Sequence, residues 1–328
     1  MNRRKQRLTA ADIQGAWAII PTPSTDDASD WRAKDTVDLD EAARAVEAMI
    51  AAGIDGILSL GTLGECGTLD WEEKRAFMAT LVETARGRVP VFGGTTSSST
   101  RETVRRTRAA LDLGVDGTMV GPGMWNRMDT PGWVRFYKDI AEAVPQAAIC
   151  IYANPAVFKF DFPPPFWTQV AEIPQVVSAK VFGHATLLRD LRATRGKIRL
   201  MPLDSEYYGG ARLAPEACTA FWSSSASCGP APVIALRDRV AKARVDGDWS
   251  AAGMLSDEMA AATLPIICYG DLLEFQTHNT ALEKLRMDAA GWMKAGPIRP
   301  PYHVVPEKIR QYAETGGRMW AELQRKYG

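Results

Sequence analysis

Tyr152 and Lys180 are the two residues of this sequence whose types and placement suggest covalent chemistry. Each ends a short apolar run, residues 147–152 and residues 176–180. A lysine next to Val181 and other apolar side chains loses solvation, which lowers the pKa of its ammonium group and makes the neutral amine accessible. A neutral amine can attack the carbonyl carbon of a ketone. On these two residues alone, the alternative stays open that the lysine is a solvated surface residue and the tyrosine a core residue.

The two apolar runs have the length and the Val and Ile content of buried strands. Residues 163–173, which lie between them, can form one helix, so the segment predicts a βαβ unit with parallel strands. The strands of such a unit lie side by side and run in the same direction. We therefore expect Tyr152 and Lys180, each at a carboxyl end, to project from the same rim of the sheet.

Helix and strand patterns alternate along most of the chain, which predicts an α/β fold, a (β/α)8 TIM barrel. Further strands are expected at residues 17–20, 54–60, 89–93, 118–120, 198–203 and 219–223. The sequence AGIDG at 52–56 has a close copy, LGVDG, at 113–117, and this spacing fits two βα units. The phosphate-loop patterns GxGxxG and GxxxxGK(S/T) do not occur in the sequence, which disfavours a doubly wound sheet.

The pattern divides the chain into three regions. Residues 1–12 are predicted to be a disordered leader, because their basic start is followed by no apolar signal core. Residues 13–247 are assigned to the barrel and residues 248–328 to a C-terminal helical extension that packs on it. Helices of the extension are expected at residues 249–263, 272–294 and 307–326.

Composition argues against nucleic acid, membrane and metal partners. Lys plus Arg equals Asp plus Glu at 39 each, so no global charge favours a polyanion, and no apolar run is long enough to span a bilayer. The five cysteines show no CxxC spacing, which favours a cytoplasmic location over a disulfide frame or a structural zinc site. Three scattered histidines leave little material for a His-based metal site or a Ser-His-Asp triad.

A glycine-containing loop, residues 61–65 with the sequence GTLGE, follows the second expected strand. Glycines let the backbone approach a ligand closely, and consecutive N–H groups at the mouth of a barrel can hold a carboxylate. The alternative is that the two glycines only make a turn.

Together, the loop at 61–65, the YANP sequence at 152–155 and the SAK sequence at 178–180 resemble the dihydrodipicolinate synthase and N-acetylneuraminate lyase superfamily of class I aldolases. The resemblance covers most of residues 15–295. It implies that Lys180 forms a Schiff base with pyruvate or another 2-oxoacid and that Tyr152 shuttles protons. It also implies that the Gly-Thr loop, with Thr62, binds the substrate carboxylate and that the protein is a homotetramer.

Several positions depart from the synthase pattern. Synthases usually carry an arginine just after the Tyr-Asn-x-Pro segment, a second threonine in the Gly-Thr loop and a tyrosine on the fourth-strand loop. Here Ala156 and Val157 stand in place of the arginine, Leu63 in place of the second threonine and Trp125 in place of the tyrosine. An apolar cleft for an aromatic partner is expected instead, formed by Leu63, Met124, Trp125, Phe158 and Trp222. The alternative for each of these side chains is a place in the core or in an oligomer interface.

Longer segments resemble the trans-o-hydroxybenzylidenepyruvate hydratase-aldolases of bacterial naphthalene and phenanthrene breakdown. They are SDWR at 29–32, WEEKR at 71–75, FKFDFP at 158–163, AFWSS at 220–224 and RMDAAGW at 286–292. This resemblance implies that Asn279 and Trp222 reach the site and that Asn154 is a polar partner in the tyrosine loop.

The implied reaction is hydration of an arylidene pyruvate and its cleavage to an aromatic aldehyde and pyruvate, with the Schiff base on Lys180 in place of a metal or coenzyme. The partners are therefore an aryl 2-oxoacid substrate and pyruvate. Another pyruvate lyase or synthase of the superfamily, acting on a sugar acid or aldehyde acid, remains the alternative. A barrel that only binds a 2-oxoacid is a more distant one. The size of the aromatic ring system stays open, because apolar pockets discriminate weakly between homologues.

Overall fold

Eight parallel strands form the centre of the molecule in a computed structural model that describes residues 6–328, the side chain of residue 184 excepted. The strands are β1 (Gly15–Ile19), β2 (Gly56–Leu58), β3 (Val91–Gly94), β4 (Gly117–Val120), β5 (Ile149–Tyr152), β6 (Val176–Lys180), β7 (Arg199–Met201) and β8 (Ala220–Ser223). From β1 to β7 each strand pairs with the next, and β8 pairs with β1. A single parallel bridge between Leu203 and Trp222 joins β7 to β8. The predicted TIM barrel is confirmed.

Helices connect the strands on the outside of the barrel. They are α1 (Leu39–Ala52), α2 (Trp71–Ala85), α3 (Thr100–Leu113), α4 (Thr130–Ala143), α5 (Pro155–Phe158), α6 (Pro164–Val170), α7 (His184–Thr194), α8 (Asp204–Leu213) and α9 (Ala231–Asp246). The repeated sequence signature has one structural cause: Gly53 and Gly114 end α1 and α3 in the left-handed conformation, with φ of 100° and 102°. Glycine adopts that conformation without a Cβ penalty.

The C-terminal extension consists of α10 (Ser250–Thr263), α11 (Leu272–Ala290) and α12 (Glu307–Tyr327). Helix α12 is fixed to the barrel by Trp320, whose indole N–H donates to the carbonyl of Gly229 at 2.9 Å. Helix α11 ends earlier than expected, at Ala290 instead of residue 294, because Gly291 takes up the left-handed conformation with φ of 71°. The expected C-terminal helices are present.

The leader differs in part from the expectation. Residues 1–5 lie outside the described residues. Leu8, however, is 4% exposed and belongs to the barrel core, and Ala10–Asp12 form a turn of 3-10 helix. The prediction of disorder is therefore wrong for residues 8–12, because an apolar leucine next to a capped turn can bury its side chain against the barrel.

The barrel interior is packed with large side chains below the mouth. Trp17 and Phe92 are fully buried and meet edge to face, with ring centroids 5.3 Å apart. Gly56 makes room for the indole, since a Cβ at Gly56 would come within 2.5 Å of the Trp17 ring. The interior is thus a solid core, and chemistry is left to the carboxyl ends of the strands.

Candidate active site

Tyr152 and Lys180 end the neighbouring strands β5 and β6 and are direct partners in the strand register. The backbone N–H of Ala153 donates to the carbonyl of Lys180 at 2.9 Å, which continues the pairing past the strand ends. Residues opposite each other in a register project to the same side of the sheet. The two side chains therefore meet at the carboxyl-terminal mouth of the barrel, on the same rim, as the sequence predicts.

The Lys180 amine lies between two aromatic rings. Its Nζ is 3.4 Å from the ring centroid of Trp222 and 4.6 Å from that of Tyr152, and the residue is only 6% exposed. Burial lowers the pKa of Lys180, while the nearby Tyr152, Cys150 and Glu283 act in the opposite direction. Burial has the larger effect, so the neutral, nucleophilic amine is more accessible than that of a solvated lysine.

The Tyr152 hydroxyl has two side-chain partners. Thr62 Oγ1 is 2.8 Å away, with either oxygen able to donate, and Asn154 Nδ2 donates at 3.0 Å. The side-chain oxygen Oδ1 of Asn154 accepts from the N–H of Ala156 and caps α5, which fixes the orientation of the side-chain amide. A phenol held by one hydroxyl and one amide, above a buried amine, can pass protons within the site.

The β2–α2 loop, residues 61–65, is held in a compact turn. The N–H of Glu65 donates to the carbonyl of Thr62 at 3.0 Å, and Thr22 donates its hydroxyl to the carbonyl of Gly64 at 2.8 Å. A Cβ at Gly64 would meet the backbone nitrogen of Leu60 at 2.9 Å, so a side chain would disturb the turn. Glycine is needed here for close backbone approach, which the sequence pattern indicates.

Trp222 forms one wall of the site. Its indole N–H donates to the carbonyl of Val181 at 2.8 Å, so the ring is fixed across the end of β6 with its face toward Lys180. Phe158 meets the Tyr152 ring edge to face, with centroids 5.4 Å apart. The buried Leu63 is 6% exposed.

Two of the sequence-predicted residues are not brought into this buried group. Trp125 is 90% exposed and Met124 is 54% exposed, both on the β4–α4 loop, so within one chain they are open to solvent. Asn279 is half-buried on α11. It follows a break in helical geometry at His278 and precedes Thr280, whose hydroxyl donates to the carbonyl of Thr62 at 3.3 Å.

Sequence reasoning missed the buried charges that α11 brings to the mouth. Lys284 forms an ion pair with Glu65 at 2.7 Å, and Arg286 forms one with Glu283 at 2.6 Å, each pair almost fully buried. Arg286 also donates to the hydroxyl of Ser224, just after β8, at 2.7 Å. The sequence signal that could have indicated these buried ion pairs is the presence of charged residues on the face of a helix that otherwise packs on the core.

Within residues 6–328, no cluster of three or more His, Cys, Asp or Glu side chains could hold a metal ion. No helix of that range is long and apolar enough to cross a membrane.

Comparisons with known proteins identify the family of the chain. The family model of the dihydrodipicolinate synthetase family matches residues 27–201. The chain is 58% identical over 321 residues to trans-O-hydroxybenzylidenepyruvate hydratase-aldolase of Pseudomonas putida, covering 98% of this chain and 97% of the relative. It is 37% identical over 324 residues to trans-2'-carboxybenzalpyruvate hydratase-aldolase of Nocardioides sp. (strain KP7), covering 98% and 96%.

Among solved structures, PhdJ bound to substrate intermediate superposes with a TM-score of 0.96 at 42% identity, over 99% of this chain and 100% of that chain. The resemblances predicted from the motifs, and the assignment to the lyases, are thereby confirmed. The chain belongs to the dihydrodipicolinate synthetase family and, within it, to the hydratase-aldolases.

Proposed function

We propose that this protein hydrates an arylidene pyruvate and cleaves it to an aromatic aldehyde and pyruvate, through a Schiff base on Lys180. The observation that carries the proposal is the buried Lys180 amine, between the rings of Tyr152 and Trp222. The names of the relatives support an aryl 2-oxoacid as substrate. A role in the degradation of aromatic hydrocarbons such as naphthalene or phenanthrene is part of the proposal.

The first step is imine formation. The neutral Lys180 amine attacks the C2 ketone carbon, the resulting carbinolamine loses water, and an iminium conjugated with the C3–C4 double bond remains. The iminium withdraws electrons from C4, the carbon next to the aromatic ring. Water adds at C4 with loss of one proton, and C3 takes up a proton as the enamine returns to the iminium.

The second step is carbon–carbon cleavage. Tyr152, which has given its phenol proton to C3 in the first step, removes the proton of the new C4 hydroxyl, the C3–C4 bond breaks, and its electron pair moves into the iminium to give an enamine. The aldehyde leaves, C3 is protonated, and hydrolysis releases pyruvate and the free lysine. The water lost on imine formation is returned here, so the net reaction consumes one water. The iminium is the electron sink, so the proposed cycle uses neither metal nor coenzyme.

The remaining predicted residues have binding roles in this proposal. Thr62, with backbone N–H groups near Leu63, holds the substrate carboxylate, which aligns the breaking bond with the iminium. The indole of Trp222 gives an apolar face for the aryl group. Asn154 and Asn279 are polar groups for the hydrating water or the C4 hydroxyl.

Trp125 is 90% exposed in a single chain, and we propose that another chain covers it. We therefore propose a homotetramer in which the β4–α4 loop lies at a contact between chains. Light scattering after size exclusion measures the mass directly. We also propose a cytoplasmic location, which the five free cysteines support.

Borohydride trapping in the presence of pyruvate tests the nucleophile. We expect the wild-type chain to gain one reduced pyruvate adduct, which peptide mapping locates at Lys180. Lys180→Ala should gain none, and Lys197→Ala, which changes an exposed lysine ion-paired to Glu172, should behave as wild type. An adduct that persists in Lys180→Ala would assign the chemistry to another lysine. Turnover of o-hydroxybenzylidenepyruvate against its hydroxynaphthyl analogue then defines the ring size.

A further inference from the structure

A buried ion cluster lies directly behind the β2–α2 loop. Its centre is the carboxylate of Glu65, which ends the loop and is 2% exposed. Lys284 of α11 donates to it at 2.7 Å, and the guanidinium of Arg299 donates to the same oxygen. The backbone N–H of Arg299 donates to the other carboxylate oxygen at 2.8 Å. Both cations come from the C-terminal extension.

The two cations are saturated with acceptors. Lys284 Nζ also donates to Ser24 Oγ at 2.5 Å and to the carbonyl of Pro297 at 2.7 Å, which uses all three ammonium protons. Arg299 donates to the carbonyl of Thr36 at 2.6 Å and to its hydroxyl at 2.7 Å. The cluster therefore connects the extension to both the β1–α1 and the β2–α2 loops, with a fixed geometry.

The position of Glu65 determines the position of Thr62. The Glu65 backbone is in the left-handed conformation, with φ of 53°, and its N–H bonds the Thr62 carbonyl at 3.0 Å. The Thr62 hydroxyl in turn contacts the Tyr152 hydroxyl at 2.8 Å. A displacement of the Glu65 carboxylate therefore changes the turn that presents Thr62 and the loop N–H groups to the mouth of the barrel.

We propose that Lys284 and Arg299 are positioning residues: by fixing Glu65 from the extension, they hold the loop at 61–65 in the arrangement that binds the substrate carboxylate. The inference rests on the proposed function of this loop. Neither side chain contacts the Lys180 amine or the Tyr152 hydroxyl among the hydrogen bonds and ion pairs of residues 6–328. Their effect is therefore expected in carboxylate affinity more than in lysine reactivity.

Lys284→Met tests the proposal through the pyruvate dependence of borohydride trapping at Lys180. We expect the half-saturating pyruvate concentration to rise roughly 10–100-fold, which is the size of effect that displacing a positioning group has. The extent of trapping at saturating pyruvate should stay the same. Lys294→Met is the matched control, because it removes a cation from the same extension at an exposed ion pair with Asp26, 3.0 Å long. Its titration curve should overlay that of wild type. A folded Lys284→Met chain with the wild-type curve would overturn the proposal.

Arg299→Lys is the second variant, because it keeps the charge but loses the planar fork that reaches Thr36. It should shift the pyruvate curve in the same direction, and it serves alone if Lys284→Met does not fold. Hydrogen exchange gives a readout that is independent of activity: amides 61–66 should exchange faster in both variants, while amides 149–152 stay as in wild type. Unchanged exchange at 61–66 would also overturn the proposal. Absence of trapping in wild type would instead refute the Schiff-base function. Hydrogen exchange at amides 61–66 would then still test whether Lys284 and Arg299 hold the loop.

Discussion

Replacing Tyr152 with Phe removes a single oxygen atom on which the proposed proton transfers depend. That hydroxyl lies 2.8 Å from Thr62 Oγ1 and accepts from Asn154 Nδ2 at 3.0 Å. Loss of the main acid–base group is expected to slow aldehyde release roughly 10²–10⁴-fold. This corresponds to about 3–5 kcal/mol of activation free energy. Imine formation with pyruvate should persist, because the Lys180 amine and its burial are unchanged.

The same substitution has a smaller effect on stability. Two polar groups lose a partner, but both hydrogen bonds are only partly buried, so water can replace the hydroxyl. The cost is then at the low end of the range for an unsatisfied group, about 1 kcal/mol. A change of that size shifts the melting temperature by roughly 2–4 °C or less in a chain of this length. The rate effect must therefore far exceed the stability effect if the reasoning is right.

Tyr137→Phe provides the matched control. It removes the same oxygen from a buried tyrosine whose hydroxyl donates to the carbonyl of Val120 at 3.0 Å, away from the site. The assay is single-turnover release of aldehyde from an arylidene pyruvate, followed by absorbance, with borohydride trapping in parallel. A Tyr152→Phe chain that cleaves at the Tyr137→Phe rate would remove the phenol from the mechanism. Loss of trapping in Tyr152→Phe would show that the hydroxyl acts already in imine formation.

Three further outcomes are expected. Because burial lowers the pKa of Lys180 in the folded state, the unfolded chain binds more protons between the folded and unfolded pKa values, so stability rises with pH through that window. Lys180→Met removes the cost of burying the ammonium group and should therefore raise the melting temperature near neutral pH. The rise should be at most roughly 2–4 °C for each kcal/mol of unfolding free energy gained. A lower melting temperature in calorimetry would contradict this. Trp222→Phe loses the indole hydrogen bond to Val181 and should raise KM for the aryl substrate about 10-fold while pyruvate trapping persists; equal effects on both ligands would refute a role in aryl binding. Gly64→Ala should weaken pyruvate binding roughly 10–100-fold, because the new Cβ would lie 2.9 Å from the backbone nitrogen of Leu60. Gly67→Ala, which has open space at its Cβ, should bind pyruvate as wild type does. Pyruvate titration of borohydride trapping in both variants tests this difference, and equal affinities would contradict it.

The barrel and the pairing of Tyr152 with Lys180 could be predicted because they depend on short-range patterns. Apolar runs of strand length and glycines at helix ends indicate where the strands and helices lie. The right-handed βαβ connection then makes neighbouring strands parallel, so that two residues at their carboxyl ends must lie on the same rim. Thr62 could be added from the motif in its loop. In the structure Tyr152 and Lys180 are register partners, and the Thr62 hydroxyl lies 2.8 Å from that of Tyr152.

The remaining features depend on contacts between distant parts of the chain. Glu65 meets Lys284 and Arg299 across 219 and 234 residues of sequence, and nothing in the local pattern of any of the three indicates the others. The burial of Leu8 likewise depends on a barrel surface formed by later segments. Trp125 shows a different limit: its expected place is in the cleft, but it is 90% exposed on its loop, and the residue type alone does not indicate which way a loop tryptophan points.

The ion cluster behind the β2–α2 loop also bears on how the chain folds during synthesis. All eight strands of the barrel, including those that carry Tyr152 and Lys180, are complete when residue 223 has been made, but the cations paired with Glu65 are added only with residues 284 and 299. Until then a carboxylate that the finished molecule keeps away from water has no cation beside it. We therefore expect a chain that ends at residue 247 to be less stable than the full chain, because the desolvated carboxylate of Glu65 would have neither of its cations.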